Sequence, residues 1–101
     1  MDKFIEAFNN SGEDITNGVP TDGKKGIDKD EKPQYESIGA IDAVIFNIGN
    51  SPVKIYEFDT KADLKKAVDS YSPLMDEYPD KGKFLLESKN KKAIEIFNSV
   101  K

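Results

Sequence analysis

Three groups of side chains have the types that chemistry requires. Asp22, Asp28, Asp30 and Glu31 crowd a glycine-rich stretch, and carboxylate oxygens in loops are calcium ligands. Their spacing does not fit an EF-hand, because neither the glycines nor the acids fall at the required positions. Lys24, Lys25, Lys29 and Lys32 interleave with them and neutralise the cluster, so a solvated loop is expected there. Asp76, Glu77 and Asp80 form a second acidic group around Pro79. Paired carboxylates do acid–base work only where a pocket drives their pKa values apart, and nothing around them signals one. Lys89, Lys91 and Lys92 make a basic patch. At about 1 kcal/mol per residue such a patch assists contact with an anionic membrane surface, although a charge run is more often an ordinary solvated face. The seven serines have no histidine to activate them. Asp22-Gly23-Lys24-Lys25-Gly26 matches neither phosphate-loop pattern, and Asn9-Asn10-Ser11 fits the short, common N-glycosylation acceptor. The reading of these groups is that there is no catalytic residue, no metal site and no cofactor site.

Composition narrows the classes further. The chain has 101 residues, with 15 Lys plus Arg against 19 Asp plus Glu, a formal net charge of −4, and no Cys, His or Trp. Disulfides, thiolate zinc sites, cysteine nucleophiles and histidine triads are thereby excluded. The acidic balance argues against nucleic acid as a partner. No stretch approaches the roughly 18 apolar residues of a membrane span. The length implies a single domain, 1–101. Charged residues are 34% of the chain and hydrophobic residues 37%, so the core must be small; six Phe and four Tyr make it aromatic-rich. Lack of Cys fits the cytosol and equally fits proteins exported by Gram-positive bacteria. Met1-Asp2-Lys3-Phe4 does not open a signal peptide, which leaves a cytosolic protein or one whose export segment has been removed.

The elements that must position these residues follow from periodicity. Phe4, Ile5 and Phe8 place one apolar stripe on a short helix over 3–11, with Gly12 beyond its last turn. Residues 12–34 read as a flexible Gly/Pro-rich loop, with Ile15, Val19 or Ile27 pinned to the body. Tyr35–Ala40 reads as a short further strand near residue 38, bent at Gly39. Val44–Ile48 and Val53–Phe58 read as strong strands joined by a tight turn over Gly49-Asn50-Ser51-Pro52, hence a hairpin. Alternation puts Ile55 on one face and Lys54, Tyr56 and Phe58 on the other. Leu64, Ala67, Val68 and Tyr71 mark a helix over 60–71, capped by Thr60 and stopped by Pro73. After a loop over 72–82, Phe84-Leu85-Leu86 reads as a strand. Asn90 caps a last helix carrying Ala93, Ile96, Phe97 and Val100. The order is α-β-β-α-β-α: an α+β fold with an antiparallel sheet of three to four strands and helices packed on it. Phe46, Ile55, Leu64, Val68, Phe84, Leu86, Ile94 and Phe97 are the expected core.

Several of these residues carry a family resemblance. Ile38-Gly39-Ala40, Asp42, Pro52-Val53, Ile55-Tyr56-Glu57-Phe58 and the opening Phe4-Ile5-Glu6-Ala7-Phe8 resemble small, mostly uncharacterised lipoprotein domains of Gram-positive bacteria. The resemblance spans the chain outside 12–34, and none of its motifs is catalytic. It departs at Ala43, where the family pattern has Gly. It implies a mature domain carried outside the cell, anchored to the membrane by a lipidated Cys upstream after removal of a signal peptide.

The functional expectation is therefore a non-enzymatic extracellular binding domain. Its partner would be a protein or an envelope component, reached through loop 12–34 or a sheet face. Tyr56, Phe58 and Tyr78 are the candidate partner-binding residues: Tyr56 and Phe58 because aromatics on an outer sheet face form docking patches, and Tyr78 from the loop over 72–82. Packing of Tyr56 and Phe58 beneath the N-terminal helix is the competing reading. The alternative function is a small acidic intracellular inhibitor or immunity-type protein, whose charge would steer it to a basic partner.

Overall fold

Helix α1 (Asp2–Asn9) opens the chain and strand β1 (Ile15–Asn17) follows it. Next come a 3-10 turn (Glu36–Ile38), β2 (Asp42–Ile48), β3 (Ser51–Glu57), α2 (Lys61–Ser70), β4 (Asp80–Lys81), β5 (Phe84–Glu87) and α3 (Lys91–Ser99). This computed structural model describes residues 1–18, 24–72 and 77–100. The fold is α+β: one antiparallel sheet ordered β1-β2-β3-β5-β4, with helices on both faces.

The β2–β3 hairpin is the centre of the sheet. Ile48 pairs with Ser51, so Gly49-Asn50 is a two-residue connection. Its positive φ falls on Gly49, as a type II′ turn requires at its first central position. Ser51 and Pro52, expected in the turn, belong to β3 instead. Pro52 is tolerated there because β5 pairs only with Lys54–Glu57. It lies beyond β5, where no neighbour asks for the missing N–H.

Two short strands extend the sheet beyond the three foreseen in the sequence. β4 reaches β5 through Gly82-Lys83, again with the glycine at positive φ. β1 pairs with β2, Ile15 opposite Ile48. Tyr35–Ala40, by contrast, forms no strand. Glu36–Ile38 is a 3-10 turn, and Gly39 closes it in the left-handed conformation with its N–H on the Glu36 carbonyl at 3.0 Å. A strand of that register would have placed Tyr35 and Ile38 on opposite faces; the turn sends both into the same apolar cluster.

The described parts of 12–34 are tied to the body. Gly26 N–H donates to the Ile15 carbonyl at 2.8 Å and Asn17 N–H to Lys24 at 3.0 Å. Ile27 N–H donates to Asn9 Oδ1 at 2.9 Å, Gly49 N–H to Asp14 at 2.9 Å and Ile45 N–H to Glu31 at 3.3 Å. The Gly49 and Ile45 bonds serve donors of the hairpin that β1 is too short to reach, and Lys24–Gly26 bond along the outer edge of β1. Ile15 and Ile27 do pack on the body; Val19 lies outside the described residues, as does Pro73.

The core is split by the sheet. On one face Val44, Phe46, Val53, Ile55 and Leu86 meet Phe4 and Phe8 of α1 and Ala93 and Phe97 of α3. Phe4 stacks on Phe97 at 4.8 Å between ring centroids, and Phe8 meets Phe46 edge-on at 4.8 Å. These rings lock the two helices together, which a helix of eight residues needs in order to persist. On the other face Ala43, Tyr56, Phe58 and Leu85 meet Leu64, Ala67 and Val68 of α2. The expected core residues are thus divided, with Leu64 and Val68 apart from the rest.

Both side-chain caps form as the sequence suggests. Thr60 Oγ1 accepts from Asp63 N–H at 3.1 Å, and Asn90 Oδ1 accepts from Ala93 N–H at 3.1 Å. Asn90 also donates through Nδ2 to Ser51 Oγ at 3.2 Å, tying α3 to the hairpin. Thr60→Ala is expected to cost about 1 kcal/mol, and Asn90→Ala the upper part of the capping range, about 2 kcal/mol. Urea unfolding followed by circular dichroism checks both; equal costs would mean that the Ser51 bond contributes nothing.

Candidate functional site

Of the aromatic candidates, Phe58 is fully buried and Tyr56 is 4% exposed. Neither presents a ring to solvent. Their side of the sheet is closed by α2, not by α1, which lies on the opposite face. That corrects both the reading of an open docking face and the reading of packing beneath the N-terminal helix. Register explains it: Tyr56 shares a face with Ala43 and Leu85, and these small and apolar neighbours leave room for α2 to settle on them. Tyr78 is half-buried against the same cluster.

A polar group borders this second core. Lys54 Nζ lies 3.3 Å from Glu87 Oε2, its cross-strand partner, and the Tyr56 hydroxyl donates to the Glu87 carboxylate. Burial first, then the Glu87 charge, push the Tyr56 hydroxyl far above its ordinary value of 10.0. Burial, Glu87 and Glu77 push Tyr78 in the same direction. Both phenols are held neutral, the opposite of what a tyrosine base or nucleophile requires. Because the folded pKa exceeds the unfolded one, this stabilisation is complete below about pH 10 and is lost as pH rises past it. Tyr56→Phe keeps the ring and removes the titrating group. Its unfolding free energy is expected to fall less steeply above about pH 10 than that of the parent chain. Urea titrations at pH 8 and above 10 check this; identical slopes would overturn it.

Among the described residues of the first charged cluster, Lys24, Lys25, Asp28, Lys29 and Asp30 are exposed. Asp28 Oδ1 accepts Asp30 N–H at 2.9 Å and shapes a turn. Among the described residues no group of three or more acids is placed to hold a metal. Asp22 and Asp76 lie outside the described residues, and Glu77 and Asp80 are exposed. Lys89, Lys91 and Lys92 are also exposed. Two Ser-x-x-Lys spacings occur, Ser51 to Lys54 and Ser88 to Lys91. Ser51 and Lys54 point to opposite faces of β3, as residues three apart on a strand must. Both serine hydroxyls accept bonds from Asn90.

An apolar cleft lies elsewhere. A cleft of about 330 Å³ opens between the start of α1, the Gly82-Lys83 turn and the end of α3. Met1, Phe4, Phe84 and Val100 give it an apolar lining, and the Phe84 ring meets Phe4 at 4.7 Å. Lys3, Lys81 and Lys83 also line it. Lys81 Nζ is held by the Asn98 carbonyl at 2.6 Å and by the Val100 carbonyl. It thus answers the carbonyl end of α3, where a cation is favoured. Lys83 Nζ pairs with Glu57 at 3.3 Å.

No family model matches this chain, and no curated protein or solved structure is significantly similar to it. The assignment of a role therefore rests on the geometry and on the motifs described above. The cleft was not foreseen, since its walls come from both ends of the chain. The one local signal was Lys81-Gly82-Lys83-Phe84, two lysines flanking a turn glycine beside an aromatic.

Proposed function

We propose that this protein is a non-enzymatic binding domain, displayed outside the cell on a lipid anchor and taking its ligand in the cleft. The observation that carries the binding part is the cleft's make-up: apolar and aromatic side chains with a few polar groups at the edge. That is the usual make-up of ligand sites, and about 330 Å³ lies at the small end of their size range. The tyrosines held neutral at the second core favour a structural role for the most perturbed side chains over a catalytic one. The surface location draws on the resemblance at Ile38-Gly39-Ala40 and Ile55-Tyr56-Glu57-Phe58.

The native N-terminus tests the location. Mass spectrometry on fractionated source cells is expected to find a diacylated Cys upstream of Asp2, in the membrane fraction. An unprocessed chain in the cytosolic fraction would overturn the anchored reading.

A further inference from the structure

Resting on the proposal that the cleft binds a ligand, we infer that its ligand is a small amphiphile with an apolar chain and an anionic head, such as a medium-chain carboxylate. Size argues for a small molecule over a protein surface. A cleft of about 330 Å³ takes one apolar chain, whereas a stable protein interface needs about 800 Å² from each partner. Phe4 and Phe84 supply a rigid aromatic wall whose rings already pack on each other, so little ordering is needed before the chain enters.

Charge argues for an anion. In a chain of net charge −4, this cleft is lined by Lys3, Lys81 and Lys83 and by no acidic residue. Lys83 is paired with Glu57, which lies outside the lining. Lys81 is bonded to carbonyl groups of α3, which fix its ammonium in place and leave its charge uncancelled. A carboxylate head at this rim would gain charge-assisted hydrogen bonds, while its chain covers Phe84 and Val100. A neutral head of the same length accepts only the weaker bond that one ionised partner gives, and a cationic head gains none.

The test is titration of the 101-residue protein with decanoate, decanol and decyltrimethylammonium below their micellar concentrations, followed by amide NMR shifts. Decanoate is expected to give saturable shifts at Phe4, Gly82, Lys83 and Phe84, with decanol at least about tenfold weaker, the factor one charged hydrogen bond supplies. Decyltrimethylammonium is expected to give none. The double variant Lys3→Gln, Lys83→Gln should weaken decanoate by about tenfold on the same basis, with Tm lowered by no more than about 4–8 °C, because Lys3 is exposed and Lys83 loses a single half-exposed pair with Glu57. Equal affinity for decanoate and decanol would overturn the anionic head while leaving an apolar binding cleft. No shift at these amides with any of the three would overturn both the amphiphile and the cleft as its site. The extracellular location stands or falls on the N-terminus measurement alone.

Discussion

Phe97→Ala is expected to lower the unfolding free energy by about 3–5 kcal/mol, the range for truncating a buried aromatic. Phe97 is fully buried and stacks on Phe4. Alanine would leave a cavity where α1, α3 and the sheet meet, and would remove the ring that holds α1. Domains of this size have only about 5–15 kcal/mol in total. The variant should thus unfold at markedly lower urea, with the m-value unchanged if the transition stays two-state. A loss below about 1 kcal/mol, as surface changes give, would show that α3 does not pack as described.

Phe58→Ala is expected to cost a similar amount, about 3–5 kcal/mol. The interest lies in the contrast. On an exposed sheet face, removing Phe58 would change stability by no more than about 0.5 kcal/mol and would weaken a partner instead. Here Phe58 is fully buried beneath α2 with Leu64, Ala67 and Leu85, and its N–H continues the β3–β5 pairing by donating to Lys83 at 2.8 Å. The same denaturant series distinguishes the two cases. A near-neutral result would mean that α2 does not cover this face.

These two residues also show how far local pattern carries. Phe97 was legible as core because Ala93, Ile96, Phe97 and Val100 repeat at helical spacing behind an Asn cap. Phe58 was legible only as lying opposite Ile55. Alternation along one strand gives two faces and does not say what covers either. Tyr35–Ala40 misled for a related reason. Its Tyr and Ile suit a strand, yet Gly39 accepts a left-handed turn at no steric cost, and burial of Tyr35 and Ile38 with α2 rewards that turn.

From residue types and spacing alone came the three helices, both side-chain caps, the central hairpin and the α+β class. Each depends on contacts within a few positions: i to i+4 along a helix, a cap to its third residue, two strands across a two-residue turn. The tertiary structure decided the rest. β1 exists because Ile15 reaches Ile48, and the second core exists because α2 folds back over Tyr56 and Phe58. The cleft exists because Lys3 and Phe4 come together with Phe84 and Val100, about eighty to a hundred positions on in the sequence. Such contacts repay the entropy of closing long loops only when the whole chain has condensed, and no short stretch of residues encodes them.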